Sequence, residues 1–152
     1  MVYSDFCFLF GSRTAPENCF NNILDAIELC YTKHKIRTFI VGHYGNFDRI
    51  AAHALNLLKV RHADINLFML IPYHPSIRPV EPYENFQTYY PDGQETALLK
   101  FAITTANQKT ICQCSVAVCY PDGVTNSRKM YEKILKRKIP VYNVKEMLNH
   151  NG

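Results

Sequence analysis

Apolar residues along this chain fall into short unbroken runs that alternate with stretches of helical spacing. Phe6-Cys7-Phe8-Leu9-Phe10 is such a run, closed by Gly11. Runs of this length and continuity read as strands buried on both faces. Thr14-Ala15-Pro16-Glu17 then opens a helix, with Pro16 in the first turn, where its missing N–H is not needed. Phe20, Ile23, Leu24, Ile27 and Tyr31 follow as one apolar stripe. Thr38-Phe39-Ile40-Val41 is a second strand, ended by Gly42. Asn46 is the expected cap of a second helix, whose Phe47, Ile50, Ala51, Ala54, Leu55 and Leu58 match the helical template at every step. Residues 65–71 read as a third strand that stops at Pro72.

Residues 72–93 break the rhythm with Pro72, Pro75, Pro79, Pro82 and Pro91 among Tyr73, Tyr83, Tyr89 and Tyr90. This reads as a long loop lying over the functional site, stiffened by its prolines. A third helix is expected over about Glu95 to Gln113, with Leu98, Phe101, Ala102 and Thr105 on one side. A fourth strand spans 115–120 and the turn Pro121-Asp122-Gly123 follows it. A helix from about Thr125 to Lys136 comes next, then a last strand over 140–144 and a short tail helix. Strands and helices alternate throughout. That order predicts an α/β chain: a Rossmann-like three-layer sandwich with a mostly parallel five-stranded sheet, formed as a single domain over 1–152.

Composition adds few constraints. The 152 residues are 47% apolar and 20% charged, ordinary values for a globular chain. The formal charge of +4 is mild. The basic cluster Lys133, Lys136, Arg137 and Lys138 reads as a solvated helix face, not a nucleic-acid footprint. No apolar run approaches the roughly 20 residues that span a bilayer, and the N-terminus lacks the basic and apolar regions of a signal peptide. A cytoplasmic location without membrane partners is therefore expected. The six cysteines fall mostly in apolar stretches, at no zinc-ligand spacing. They read as buried free thiols, with no metal and no resident cofactor. Folds of this kind often pair through helix faces, so a homo-oligomer is allowed, although no exposed stripe marks one.

In open parallel sheets, ligands bind beyond the carboxyl ends of the strands, where strand order reverses. Three strand ends here carry suitable residues. Gly11-Ser12-Arg13-Thr14 offers a close backbone approach, hydroxyls, and a guanidinium able to grip a phosphate. Gly42-His43-Tyr44-Gly45-Asn46 leads from strand to helix in the layout of a phosphate-cradling loop, with helix-start amides aimed at the ligand. It has neither the Walker lysine nor a GxGxxG spacing. Gly123 and Thr125 form a third corner of similar make. The alternatives are plain turns and caps, with Asp48 only complementing the helix dipole. Two carboxylates, Glu95 and Asp48, open helices near these corners. Either could serve the cleavage of an N-glycosidic bond, which needs a carboxylate to stabilise oxocarbenium charge. The tyrosines of the loop could stack on a base or anchor the loop itself.

Three stretches together resemble the SLOG superfamily, which includes the DNA-processing Smf proteins and the Lonely Guy phosphoribohydrolases. They are Phe6 to Arg13, Phe39 to Asp48 with its "GNFD" turn, and Tyr90-Pro91-Asp92-Gly93-Gln94-Glu95-Thr96 with Phe101-Ala102-Ile103. The chain is most similar to small YpsA-like bacterial and phage members. The resemblance implies a Rossmann-like sheet that binds a nucleotide or a nucleotide-sugar such as ADP-ribose. In that reading Gly11, Ser12, Arg13, Gly42, His43, Gly45, Asn46, Gly123 and Thr125 hold the ligand. The PGGxGTxxE signature of the Lonely Guy enzymes is absent, its place taken by Pro121-Asp122-Gly123-Val124-Thr125-Asn126-Ser127. The expected function is therefore a sensor or sequestering domain. An N-ribosidic hydrolase using Glu95 or Asp48 is one alternative, and a non-catalytic interaction protein is another.

Overall fold

The first strand, β1 (Cys7–Gly11), puts Cys7 and Leu9 into one apolar cluster and Phe8 and Phe10 into another. Side chains alternate across a strand, so this split means that both faces of the sheet are covered. In the computed structural model, which describes residues 5–123 and 126–151, five more strands join it: β2 (Thr38–Val41), β3 (Asn66–Leu70), β4 (Gln87–Tyr89), β5 (Val116–Tyr120) and β6 (Val141–Asn143). The spatial order is β4-β3-β2-β1-β5-β6, and every neighbouring pair is parallel. The helices are α1 (Phe20–Thr32), α2 (Asn46–Arg61), α3 (Ala102–Gln113), α4 (Asn126–Leu135) and α5 (Val144–Asn151). Residues of α1, α2 and α5 share the cluster of Cys7 and Leu9, whereas α3 and α4 cover the face of Phe8 and Phe10. Among the described residues no helix is long and apolar enough to cross a membrane.

The sheet has six strands, not the expected five. The extra strand, β4, lies within the segment read as a loop. It has only three residues, two of them exposed, and pairs with β3 alone. Short polar strands at a sheet edge leave little hydrophobic signal. The rest of the proline-rich segment takes the place of a crossover helix. Phe86 is buried against the α1–α2 side, with Val80 and Tyr83 packed beside it.

The third helix is shorter than its spacing predicts. Residues 94–101 form two separate 3₁₀ turns, Gln94–Thr96 and Leu99–Phe101, with extended backbone at Ala97 and Leu98 between them. Leu98, Leu99 and Phe101 are exposed, so the expected apolar face begins only at Ala102. At the first helix a 3₁₀ turn over Glu17–Cys19 follows Pro16, and α1 begins at Phe20. Asn46 is the first residue of α2, and Gly45 occupies the cap. All six cysteines are free thiols. Five are buried, but Cys112 lies on the outer side of α3 and is exposed.

Topology places the site. From β1 the chain steps outward through β2, β3 and β4, then α3 carries it back across the sheet to β5 on the other side of β1. The strand order reverses between β1 and β5, and there the chain segments leaving the strand ends diverge and open a crevice.

Candidate functional site

A cleft of about 280 Å³ opens at this reversal point. Its floor is apolar, built from Phe8 and Phe10 of β1, Leu70 of β3, Ile103 and Ala106 of α3, and Met130 of α4. Its rim is polar, with Ser12, Arg13 and Thr14 after β1, Tyr44 and Asp48 after β2, Asn107 on α3, and Asn126 and Ser127 at the start of α4. An apolar cleft with a few convergent polar groups is the usual form of a small-molecule site.

The β1 loop and the start of α2 are built against each other. The Asn46 amide donates to the Arg13 carbonyl at 3.0 Å, and the Phe47 amide donates to the Ser12 carbonyl at 3.2 Å. Phe47 is fully buried and its ring covers Gly11, where an added Cβ would come within 2.5 Å of Phe47 Cγ. Gly45 has φ +102°, and a Cβ there would lie 2.6 Å from Arg13 Cα. These glycines therefore serve close packing of two chain segments. The helix-start amides of Asn46 and Phe47, expected to cradle a phosphate, are occupied by backbone carbonyls.

Ser12 is held from several sides. Its Oγ accepts from the Thr14 amide at 3.1 Å and donates to Asp122 Oδ2 at 3.4 Å, with Thr14 Oγ1 also at 3.1 Å. Asp122 Oδ1 pairs with Lys145 Nζ of α5 at 3.0 Å, and that ammonium keeps the Asp122 carboxyl below the usual range. Arg13 is exposed and, among the described residues, is the one cation on the cleft lining.

Asp48 is the least ordinary group of the site. It is only 8% exposed, and burial pushes its carboxyl up to about 7 despite the Tyr44 amide and the nearby Arg13 charge. The Tyr44 amide donates to Oδ2 at 2.9 Å. The same oxygen would meet a Cβ placed on Gly42 at 2.7 Å, so glycine at that position makes room for the carboxyl.

Of the residues singled out in the sequence, Gly11, Ser12, Arg13, Gly42 and Asp48 line this cleft. His43 does not. Its Nδ1 donates to the Leu70 carbonyl at 3.2 Å, and it lines a separate shallow hollow with Tyr73 and Arg78. Burial there lowers its affinity for a proton. Gly45 and Asn46 sit behind the rim, where Asn46 Nδ2 donates to the Ala15 carbonyl at 3.4 Å. Gly123 is exposed and off the lining, and Thr125 lies outside the described residues.

Glu95 is exposed and faces a second hollow of about 250 Å³, formed with Tyr73, His74, Tyr90 and Gln94, and so stands apart from Asp48. The loop expected over the site gives the cleft only Pro72. Its tyrosines act as anchors: the Tyr83 hydroxyl donates to the Gly42 carbonyl at 3.1 Å, Tyr89 is buried in β4, and Tyr90 meets His74 edge-on. Tyr44, Asn107, Asn126 and Ser127 were not among the residues expected to hold a ligand. For Tyr44, Asn126 and Ser127 the signal that could have found them is their position between a strand end and the first turn of a helix, whereas Asn107 lies mid-way along α3 and carries no such signal.

Among the described residues no group of three or more His, Cys, Asp or Glu side chains could hold a metal ion. No protein-family model matches the chain, and no curated protein matches it.

Proposed function

We propose that the chain binds a nucleotide or nucleotide-sugar in the cleft between β1 and β5, as a sensor or sequestering domain of SLOG type. The observation that carries this reading is the composition of the cleft, among the described residues one guanidinium with hydroxyls and amides above an apolar floor. Arg13 supplies the charge for a phosphate, and Ser12, Thr14, Asn126 and Ser127 make the rim around it polar. The floor of Phe10, Leu70, Ile103 and Met130 suits the face of a base. About 280 Å³ lies just below the roughly 300–1,000 Å³ range of ligand clefts, which favours one nucleotide unit inside it over a whole dinucleotide.

A second reading is supported by one observation: Asp48, a carboxyl group able to exchange a proton near neutral pH, lines the same cleft. An N-ribosidic hydrolase would place its acid or charge-stabilising group there. Glu95, in the other hollow, is not part of that reading. Thermal shift and calorimetry with AMP, ADP and ADP-ribose, followed by chromatography of each mixture, separate the two. Binding with intact ligand supports the sensor, and release of free base that is lost in Asp48→Asn supports the hydrolase. No shift with any of the three refutes both.

A further inference from the structure

Asp48 is paired on only one side. Oδ2 takes the Tyr44 amide, whereas Oδ1 has no protein hydrogen bond and neither oxygen has an ion-pair partner among the described residues. The side chain is nonetheless more than nine-tenths buried and lines the cleft. Burying an ionisable group without an ion-pair partner is costly. Complementing the α2 dipole does not require burial, since an exposed acid in the first turn does that as well. The bond from Tyr44 does not require a carboxylate either, since an amide oxygen would accept it. Neither structural role accounts for an acid at this position.

The charges of the cleft narrow what could complete it. A simple cation would suit Asp48 but be opposed by Arg13, whose charge is felt at the carboxyl. A simple anion would suit Arg13 and be opposed by Asp48. A molecule that carries an anionic group and, a few bonds away, neutral hydrogen-bond donors satisfies both. A ribonucleotide does this, because its phosphate and its two ribose hydroxyls are held on one small ring.

We infer that Asp48 is the specificity-determining residue of the cleft, accepting hydrogen bonds from the ribose hydroxyls of a ligand whose phosphate Arg13 holds. The inference rests on the nucleotide reading above. It makes the site selective for ribose over sugars without the hydroxyl pair, because a carboxylate left unpaired in a closed cleft penalises the analogue lacking its donors.

Calorimetry on the full chain at pH 8 tests it with AMP, 2′,3′-dideoxy-AMP and inosine monophosphate, which lacks the amino group of the base. The expected result is AMP and inosine monophosphate binding alike and the dideoxy compound binding about tenfold or more weakly, the value of a lost hydrogen bond to a charged group. In Asp48→Asn the amide oxygen keeps the Tyr44 bond and the NH₂ group faces the ligand. The ribose preference should then fall within about twofold while the thermal melt shows an intact fold. AMP and its dideoxy analogue binding equally would overturn the role of Asp48 and leave the nucleotide reading standing. A preference that follows the base amino group, or that persists in Asp48→Asn, overturns it as well. If none of the three nucleotides binds, the nucleotide reading falls and takes this inference with it.

Discussion

Exchanging Asp48 for Asn should stabilise the protein at pH 8 and leave its stability near pH 4 almost unchanged. Burial raises the carboxyl from the ordinary 3.8 to about 7 in the folded chain. Between those values the native state holds a proton that the unfolded state has released. Stability therefore falls as pH rises through that window and levels off above it. At about 1.4 kcal/mol per pH unit, the full span is worth about 4 kcal/mol. Asn occupies nearly the same volume, keeps an acceptor for the Tyr44 amide and carries no charge, so the variant escapes most of this loss. It forgoes the attraction of Arg13, which is exposed and contributes little. A gain of about 2–4 kcal/mol at pH 8 follows. The assay is urea unfolding of both chains at several pH values between 4 and 8, comparing midpoints at equal m-value. The difference between the two chains isolates Asp48, because every other titrating group is common to both. Equal stability of the two chains at pH 8, or a difference that does not grow between pH 4 and 7, would refute the reasoning.

The packing of the β1 loop on α2 makes Gly11→Ala costly. Its Cβ would sit 2.5 Å from the Phe47 ring, and overpacking of this kind costs about 1–3 kcal/mol, read as a lower melting temperature. Gln94→Met should also destabilise the fold. Gln94 Nε2 donates to the Pro72 carbonyl at 3.1 Å and the Ala102 carbonyl at 2.8 Å, and the variant strands both for about 1–3 kcal/mol, seen as a lower urea midpoint. The buried Gln94 Oε1 has no partner among the described residues, so its removal recovers part of that cost. Arg13→Ala should leave the melting temperature within a degree or two, since the side chain is exposed, while weakening nucleotide binding about tenfold or more by calorimetry. Unchanged affinity would remove Arg13 from the site.

What the sequence revealed and what it hid follow from how far each signal reaches. The runs 6–10, 38–41 and 116–120 are buried on both faces, and only a covered parallel sheet demands continuous apolar character. α2 was legible because its buried face, Asp48 apart, is apolar at the right spacing. β4 was not, since an edge strand with one buried residue carries almost no pattern. The eight residues before α3 misled for the opposite reason. Leu98 stands at helical spacing from Phe101 and Ala102, yet Leu98 and Phe101 face solvent around a 3₁₀ turn that spacing cannot register. At the site, sequence reasoning placed Arg13 and Asp48 on the cleft because each follows a strand end next to the order reversal. It misplaced His43 and Glu95, because which way a loop side chain turns depends on its bonds. His43 is turned toward the Leu70 carbonyl, and Glu95 is carried beyond Pro72 into the neighbouring hollow.

The glycine-bearing corners gain a different meaning from this geometry. A phosphate loop presents free amides to its ligand, but here the amides of Asn46 and Phe47 are spent on the carbonyls of Arg13 and Ser12, and Phe47 seals the joint over Gly11. Two loops from adjacent strands thus become one stiff shelf. Lys145 and Asp122 reach its far side through Ser12, tying α5 to the same structure. On such a shelf the proposed ligand would have to be recognised through side chains rather than through the Asn46 and Phe47 amides. The charge of the cleft then rests on Arg13 and Asp48, and both are held in place by backbone that cannot easily move. The cost of burying Asp48 acts against the folded state. Stability alone would favour an amide at that position, so the acid at 48 fits the ligand role proposed for it better than any role in the fold.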